Sequence, residues 1–375
     1  MRSFIIGLVG LIGVVAAQPG SIFGRMSIAS VNAHPTDGKV PPQHAVVVSK
    51  SGDGKGSFSK ISDALASLPN DNTEQTIFIF KGSYNEQLPS INRPGAVRFI
   101  GYTTGNPGQS YKDNQVTVFF SRGLSVSPLP EGHNDAETAV VSTASSRISW
   151  YNVNIVNTDN FDGAKASYVT LAASIYGNEI GFYACLLDVW QDTLLTGGTA
   201  SYQYYESCLI TGAIDFIWGY SKAYFKGCTI GAKRASSAIT AQSRSSLSAV
   251  GGYIFDQCLF TAAPDATVDL TGRVYLGRPY SQYALVVIKN SYLDKTINPS
   301  GWKIWSKTDP RTDHITFAEF NYRGPSNWES NAAAREAFGH ATLLSADTYS
   351  LESTMDSTSW IDMTYWSSIT TPQPN

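Results

Sequence analysis

Residues 181–219 read GFYACLLDVWQDTLLTGGTASYQYYESCLITGAIDFIWG, and one short pattern occurs in them twice. In each copy a cysteine follows a pair of aromatic residues, and an aspartate stands seven residues further on. Cys185 is followed in this way by Asp192, and Cys208 by Asp215. Both aspartates have apolar and aromatic neighbours, where an unpaired carboxylate costs several kcal/mol. The repeat therefore carries information about both the fold and the candidate reactive residues.

The same cysteine context continues along the 375-residue chain. It extends outward to WYNVNI around Val153 and to VIKNSYL around Ser291. Short strands that recur every 20 to 30 residues, with no helical periodicity between them, indicate a solenoid of β-coils. The pattern alone leaves open chance similarity among strands of a β-sandwich. We predict an all-β fold, a parallel β-helix, whose cysteine-containing repeats are GFYACLLD (Cys185), QYYESCLI (Cys208), AYFKGCTI (Cys228) and YIFDQCLF (Cys258).

Equivalent cysteines on successive coils of a β-helix would form a buried ladder. Neighbouring strands lie about 4.8 Å apart, which is close enough for disulfide bonds between adjacent rungs. Buried free thiols fit the pattern equally well. The sequence leaves both states of the four cysteines open.

The register of the repeat also predicts a catalytic pair. If the coils stack, the backbones of Asp192 and Asp215 lie roughly 5 Å apart. Two negative charges at that separation repel by about 3 kcal/mol, or roughly two pKa units, so one aspartate is expected to keep its proton near neutral pH. A neutral acid beside a carboxylate is a working acid–base pair. The alternative, two aspartates that only cap turns or bond to backbone amides, is weaker for a matched pair than for a single residue.

The N-terminal segment and the net charge predict the location and the partners of the protein. Arg2, the apolar run 4–15 and the small residues Val15 and Ala17 predict a secretory signal peptide over 1–17, and hence a secreted, extracellular protein.

We expect a leader or linker at 18–43 and a single domain at 44–370. Near the end of the domain we expect a helix over 330–339 with Ser330 as N-cap. No later segment is long and apolar enough to cross a membrane. A net charge of −3 gives no electrostatic reason to expect nucleic acid or membrane partners, and we expect a monomer.

Other chemistries find little support. The five histidines lie outside every motif and there is no G-x-S-x-G, so a Ser-His-Asp triad is not expected. The cysteines lack the spacing of a zinc site. No metal or other cofactor is therefore predicted. Lys233, Arg234 and Arg244 fall in connections between coils, where they either contact an anionic polysaccharide or are simply solvated.

The chain resembles the pectin methylesterases, a carbohydrate esterase family with a right-handed parallel β-helix. The resemblance runs from about Ala45 to Tyr365 and rests on motifs that occur in the family's order. Each motif is short, but the ordered series is specific: VSKSGDGKGSFSKISDAL (48–65), GSYNE (82–86), WQDTL (190–194), GAIDFIWG (212–219), TAQSR (240–244), LGRPY (276–280) and GWKIW (301–305).

The resemblance implies a role for each matching residue. Asp215 would attack the methyl-ester carbonyl of a galacturonate unit in pectin, and Asp192 would act as general acid and then as general base. Arg278 would orient Asp215 and keep it ionised, and Gln191 would stabilise the oxyanion. The implied substrate is methyl-esterified homogalacturonan, with no cofactor. The rings that would line the sugar subsites are Trp302, Tyr280 and Phe216.

Three positions depart from the family pattern. The family has a second oxyanion glutamine upstream, and ungapped alignment backward from Cys185 puts Val169 in its place. Valine has no hydrogen-bond donor, and losing one oxyanion donor costs about 100- to 1000-fold in rate. Ser167 or Thr170 is a candidate substitute donor. Tyr280 replaces a tryptophan and Ser243 a glycine, which are milder changes.

Three other functions compete with pectin de-esterification. A pectin-cleaving glycosidase also uses carboxylates about 5 Å apart, and NTDNFDG at 157–163 is similar to a polygalacturonase motif, but the further motifs of that family are absent. A calcium-dependent pectate lyase needs clustered acids, which the sequence lacks. A pectin-binding relative with impaired catalysis is the strongest rival, because of Val169.

Overall fold

The computed structural model describes residues 34–50, 55–125, 131–159 and 168–374. The expected signal peptide, residues 18–33 of the expected leader and part of the 157–163 motif lie outside these residues. Over the described residues the chain winds into successive coils that build three parallel sheets. This is a right-handed parallel β-helix with short helices near its ends, as predicted.

Each sheet runs along the axis of the helix, and its strands pair with their equivalents on the adjacent coils. The first sheet has eleven strands: Val46–Val48, Gln75–Ile79, Val97–Gly101, Ile148–Tyr151, Ile180–Tyr183, Tyr202–Glu206, Lys222–Lys226, Gly252–Asp256, Leu285–Lys289, Thr316–Phe320 and Ala341–Leu343. The second sheet has eight: Gly82–Asn85, Val116–Phe120, Val153–Asn157, Leu186–Asp188, Leu209–Gly212, Thr229–Ala232, Leu259–Ala262 and Tyr292–Leu293.

The third sheet carries the candidate site. Its six strands are Val141–Thr143, Ala173–Ile175, Leu194–Thr196, Ile217–Gly219, Ala238–Gln242 and Tyr275–Gly277. A small antiparallel pair, Leu124–Ser125 with Tyr168–Val169, stands beside it. The alternation of side chains along a strand sends one set into the core and the other toward solvent or toward covering segments.

The predicted register of the cysteine repeats is confirmed. Pairing of Leu186 with Leu209, and of the equivalent residues on the next two coils, stacks all four cysteines in one buried column. The column extends to Val153 at one end and to Ser291 at the other, as the sequence pattern indicated. All four cysteines are free thiols, which decides between the two open alternatives.

A tight turn precedes each position of this column. The residue just before it has a positive φ of about 50–60°, a conformation that asparagine and glycine adopt most easily. One backbone conformation repeated on successive coils bends the chain from the first sheet into the second. The residues at this position include Asn152, Ala184, Ser207, Gly227, Gln257 and Asn290.

Aromatic residues that face the interior from the first sheet form a stack along the helix axis. Their ring centroids lie between 3.9 and 6.3 Å apart and their planes are nearly parallel. Stacked aromatic pairs add about 0.5–1.5 kcal/mol each beyond simple burial. The members of the stack are Phe99, Trp150, Phe182, Tyr205, Phe225 and Phe255.

Helices cover the two ends of the core. The helix Ile61–Ala66 buries Ile61 and Ala64, and the carboxylate of Glu86 accepts hydrogen bonds from the backbone N–H groups of Ile61 and Ser62 at 2.9 and 3.0 Å. Glu86 belongs to the GSYNE motif, which therefore has a structural role at a helix N-terminus. A further short helix, Leu351–Thr354, lies in the C-terminal segment.

The longest helix spans Trp328–Phe338, so the predicted start at Ser330 is wrong. Asn327 caps it by accepting a hydrogen bond from the Ser330 backbone at 2.7 Å, and Gly339 ends it with φ of 74°. Its buried Arg335 pairs with Glu319 at 3.0 Å. No helix among the described residues is long and apolar enough to cross a membrane.

Candidate active site

Asp192 and Asp215 stand at the same point of two adjacent coils, just before strands of the third sheet. The Asp192 backbone N–H donates to the carbonyl of Ile214 at 3.1 Å, and Gln191 forms a bridge with Ile214. Leu194 pairs with Ile217 directly beyond, so the two aspartates are in register. Both have positive φ, of 60° and 47°, and such uncommon backbone conformations cluster at functional sites. The matched pair predicted from the sequence is therefore present.

Asp215 is held by Arg278, which follows the strand Tyr275–Gly277. The Nε of Arg278 donates to Oδ1 at 3.0 Å and its Nη2 donates to Oδ2 at 2.6 Å, a two-point contact that fixes the carboxylate plane. Asp215 is buried, with 8% of its surface exposed. The guanidinium carbon lies 4.0 Å from the ring centroid of Trp305, which fixes Arg278 from its other face.

Asp192 has a different environment from Asp215. Burial raises the pKa of Asp192 well above its usual range, and the negative charge of Asp215 raises it further. The Gln191 side-chain amide and Arg278 act in the opposite direction and are outweighed. Solvent still reaches part of the side chain. Asp192 therefore holds its proton at a pH where an ordinary aspartate is ionised, as expected for one member of the pair.

Gln191 lies beside this pair. Its Nε2 donates to Oδ2 of Asp192 at 3.3 Å, and its side chain is half-buried. The indole N–H of Trp218 donates to the carbonyl of Asp192 at 3.2 Å and fixes the local backbone. Gln191 thus contacts Asp192 directly.

The environment of Val169, where the family resemblance places a second oxyanion donor, is apolar. Val169 is 3% exposed and belongs to a small hydrophobic cluster with Leu171 and Leu195. The hydroxyl of Thr170 donates to the backbone carbonyl of Gln191 at 3.2 Å, so its proton is already used. Ser167 lies outside the described residues. Neither Val169 nor Thr170 supplies a free donor.

Of the three rings predicted to contact the sugar, only Tyr280 is exposed, at 44%. The prediction for Phe216 is wrong: it is fully buried in the core, because side chains alternate along a strand and Asp215 takes the outward direction. The prediction for Trp302 is also wrong, since it is 1% exposed. Its indole N–H donates to Glu319 at 2.8 Å, and its ring stacks on Phe317 at 4.3 Å.

Trp305 is the aromatic residue that the sequence prediction missed. Its ring meets that of Tyr280 edge-on at 5.1 Å, and Arg311 lies over it at 4.5 Å. Arg278 packs on the same ring, so this cluster adjoins the arginine that lines the cavity beside Asp215. The GWKIW motif contains two tryptophans three residues apart, and on an extended chain such residues face opposite directions. The sequence could therefore have indicated that Trp305 faces outward if Trp302 faces the core.

A cavity of about 210 Å³ adjoins Asp215. Arg278, Arg234 and Lys303 line it together with the loop 235–238. Of the three basic residues singled out in the sequence, only Arg234 reaches this cavity. Lys233 is buried in ion pairs with Asp188 and Asp265, and Arg244 is buried and donates to the carbonyl of Tyr283 at 2.7 Å.

A larger cavity, of about 820 Å³, lies elsewhere. It is bounded by the C-terminal segment 365–374 and by residues such as Tyr111 and Thr261, and it contains neither Asp192 nor Asp215. No group of three or more metal-ligating side chains occurs among residues 34–374 as far as they are described. The smaller cavity is the candidate site, because Asp215 and Arg278 line it and Asp192 stands beside Asp215 on the adjacent coil.

Comparisons of the sequence and of the structure with known proteins both find pectinesterases. The family model for pectinesterases matches residues 45–356. A pectinesterase of Aspergillus niger is 35% identical over 330 residues, which cover 86% of this chain and 92% of that protein. The crystal structure of the A. niger pectin methylesterase in deglycosylated form superposes with a TM-score of 0.71 at 30% identity, covering 90% of this chain and 99% of that one.

A more distant structure has the same fold. It is a pectin methylesterase in complex with a hexasaccharide, 21% identical, with a TM-score of 0.64. The match covers 84% of this chain and 98% of that one.

Proposed function

The chain belongs to the pectinesterase family and is a carboxylic ester hydrolase, and from this premise we propose that Asp215 and Asp192 remove the C6 methyl ester of galacturonate in pectin. The products are methanol and de-esterified pectin. The observation that carries the proposal is the unlike pair of carboxylates: Asp215 is held by Arg278 at 2.6 Å, and Asp192 has a raised pKa. Two acids with different environments can divide the roles of nucleophile and proton donor.

In the first step an Asp215 oxygen attacks the ester carbonyl and forms a tetrahedral intermediate. The carbon–oxygen bond to the methoxy group breaks, and Asp192 gives its proton to the departing oxygen, which leaves as methanol. Asp215 is then joined to the galacturonate through an anhydride. Arg278 stabilises the carboxylate geometry before attack and after release.

In the second step Asp192, now ionised, takes a proton from water as the water attacks the anhydride carbon. Asp215 leaves as a carboxylate and the sugar keeps a free carboxyl group, while Asp192 again holds a proton. The Gln191 amide donates to the oxyanion in both steps, a contribution of about 3 kcal/mol when well placed. To do so, the Gln191 amide would have to give up its hydrogen bond to Asp192 and donate to the oxyanion instead.

The setting of this activity follows from the same premise. Methyl-esterified pectin is the proposed partner, and the complex of a related pectin methylesterase with a hexasaccharide supports oligosaccharide binding. We propose secretion through a signal peptide at 1–17, with a catalytic domain over 44–370 that acts as a monomer outside the cell. The low net charge of −3 supports no nucleic acid or membrane partner.

The test is methanol release from highly methylated pectin by the mature protein and by Asp215→Asn. Asparagine keeps the shape of the side chain but is a poor nucleophile, so the rate should fall by at least about 10⁴-fold. Circular dichroism would check that the variant folds. Asp37→Asn, an exposed aspartate, is the matched control and should keep the wild-type rate. Full activity in Asp215→Asn would refute the assignment.

A second candidate function is pectin binding without efficient catalysis. Its support is the apolar environment of Val169, together with the committed hydroxyl of Thr170. A wild-type protein that binds pectin oligosaccharides but releases no methanol would favour this alternative over the esterase.

A further inference from the structure

A groove on the second sheet, away from the third sheet that carries the aspartates, has the features of a separate binding site. The groove is the cavity of about 820 Å³ bounded by the C-terminal segment 365–374. The strands Thr229–Ala232 and Leu259–Ala262 contribute its floor. Its volume falls within the roughly 300 to 1,000 Å³ of ordinary ligand sites.

The C-terminal segment forms one wall of the groove and is tied to two coils. The hydroxyl of Thr371 donates to the carbonyl of Asn290 at 2.9 Å. Ile369 packs against Gly227, and a side chain at position 227 would collide with it. The other residues named above for this turn position all carry side chains, so the glycine makes room for the segment. The wall is therefore built into the fold.

The loop 109–112 forms another wall and is also fixed. The side chain of Asn152 accepts a hydrogen bond from the Gly108 backbone at 2.7 Å and donates one to the carbonyl of Ser110 at 3.1 Å. A ligand that enters a groove with fixed walls does not have to order them first. Binding there loses less conformational entropy than binding to a mobile surface.

The groove runs along the axis of the β-helix. At one end the loop is joined to the third strand of the second sheet, Val153–Asn157, because Asn114 donates to the side chain of Asn154 at 2.9 Å. At the other end Lys295 follows the last strand of that sheet, Tyr292–Leu293. Five strand spacings separate these two strands, or about 24 Å. An extended chain of several units fits such a groove better than one compact molecule.

The lining carries more positive than negative charge. Lys112 and Lys295 line the groove, and neither forms an ion pair within the described part of the chain. Asp294 is the one acid among the lining residues, and its carboxylate accepts hydrogen bonds from the hydroxyls of Thr261 and Thr296 at 3.0 and 3.2 Å. Two lysines against one aspartate favour an anionic ligand.

The other lining side chains suit a sugar. Tyr111 and Tyr365 provide rings, which can pack on the apolar faces of sugar units. Ser207, Thr229 and Thr261 provide hydroxyl groups, which can both donate to and accept from sugar hydroxyls. The length, the charge and the lining together fit an extended acidic oligosaccharide.

We propose that this groove binds a de-esterified, acidic stretch of pectin at a distance from the reactive aspartates. The choice of ligand rests on the proposed function, whose reaction produces such stretches. Lys112 and Lys295 bind carboxylates near the two ends of the groove, and the sugar units between them pack along its floor. The groove holds the enzyme on partly de-esterified pectin, which raises the local concentration of the remaining esters at the third sheet.

Hydrogen exchange followed by mass spectrometry locates the ligand. Hexagalacturonate, added to the wild-type protein, should slow exchange in the loop 109–112 and in the segment 365–374. Cellohexaose, a neutral oligosaccharide of equal length, should have much less effect because it has no carboxylates for the lysines. Unchanged exchange in both segments with hexagalacturonate overturns the inference, and so does equal protection by cellohexaose.

A pair of double variants tests the two lysines. Lys112→Gln, Lys295→Gln should weaken the protection by hexagalacturonate, so that about fivefold more ligand is needed for the same effect. Lys60→Gln, Lys81→Gln removes two exposed charges that do not line the groove and should behave as the wild type. Equal protection in the two double variants would contradict the role of the lysines.

Methanol release separates this inference from the proposed function. On long pectin with de-esterified stretches, the groove variant Lys112→Gln, Lys295→Gln should have a KM about fivefold above that of the wild type, with an unchanged kcat. On fully methylated trigalacturonate, which is short and has no free carboxylate, the two proteins should have equal kcat and KM. If no substrate releases methanol, the proposed function fails, but hydrogen exchange at the groove still decides the inference. A KM that changes equally on both substrates, or on neither, overturns it.

Discussion

At the scale of single residues, the site depends on two identical side chains that the surrounding protein makes unlike. Asp215 is bonded directly to Arg278, while Asp192 is bonded to the amide of Gln191, and the negative charge of Asp215 outweighs the effect of Arg278 on it. The difference arises because Arg278 reaches one coil and not the other. An acid–base pair can thus be built from a repeated motif without changing the motif.

The first prediction at this scale concerns Val169. We expect Val169→Gln to raise kcat by about 10- to 100-fold, because a second amide donor would reach the oxyanion. The same change should lower the free energy of unfolding by about 1–3 kcal/mol, because the amide enters an apolar cluster. Methanol release and urea denaturation measure the two effects.

Val169→Met is the matched control, since it adds length without a donor. It should leave kcat near the wild-type value. Equal rates for the methionine and glutamine variants would mean that the oxyanion is already fully stabilised by other groups.

The second prediction concerns the two tryptophans of the GWKIW motif. Trp305→Ala should raise the KM for pectin about fivefold, because an aromatic contact contributes roughly 1 kcal/mol and Trp305 packs on the exposed Tyr280 and on Arg278. Trp302→Phe should instead lower thermal stability with little change in KM, since its indole bonds to buried Glu319. If only the Trp302 variant changed the KM, the result would show that Trp302, and not Trp305, contacts the sugar.

At the scale of elements, stability comes from side chains that stack in register from coil to coil. Phe225 lies between Tyr205 and Phe255, at 4.8 and 4.4 Å. Each ring packs against the rings above and below it, so that a gap affects several coils. The cysteine column runs in parallel, and its buried thiols donate to backbone carbonyls, as Cys228 does to Tyr205 at 3.5 Å.

Phe225→Ala should therefore lower the free energy of unfolding by about 3–5 kcal/mol, the range for large buried aromatic residues. Well below the unfolding temperature its kcat should match the wild type, because Phe225 has no contact with either aspartate. Leu247→Ala, at a side chain that is 66% exposed, is the control and should change stability by less than about 0.5 kcal/mol. An equally small effect at Phe225 would contradict the importance of the stack.

At the scale of the whole molecule, the C-terminal segment covers the outer aromatic row of the first sheet. Met355 and Trp360 pack on a row that includes Tyr183 and Tyr204. This covering buries Glu206, which is 1% exposed and accepts a hydrogen bond from the hydroxyl of Tyr204 at 2.5 Å. Burial raises the pKa of Glu206 to about 8, although Lys226 acts against the shift.

The raised pKa makes stability depend on pH. The folded state binds a proton at Glu206 that the unfolded state releases above about pH 4.5, so the stabilisation is complete at low pH and is lost as the pH rises toward 8. The raised pKa of Asp192 also makes stability fall as the pH rises. Urea denaturation of the wild type should show stability falling by up to about 1.4 kcal/mol per pH unit for each such group.

Glu206→Gln, which cannot ionise, should reduce this slope between pH 5 and 8. Glu352→Gln, an exposed glutamate in the same C-terminal segment, should retain it. A wild-type stability that rises across this range would show that Glu206 is ionised in the folded protein.

The sequence by itself determined the repeat, the parallel β-helix, the cysteine column and the pairing of Asp192 with Asp215. These features follow from the spacing of residues within one or two coils, because in-register stacking converts a sequence interval into a fixed distance. Arg278 and Gln191 were identified by resemblance to the family. Arg278 bonds to Asp215 and Gln191 bonds to Asp192, and their catalytic roles stay predictions.

The tertiary structure alone decided which side chains face the cleft and which cations stay unpaired. Trp302 turns into the core because Glu319 and Phe317, on a later strand, receive it, and Trp305 takes the outer position. Lys233 is neutralised by Asp188, which lies 45 residues away in sequence, whereas Arg234 next to it is not. Such outcomes depend on contacts between residues far apart in the chain, and no local pattern encodes them.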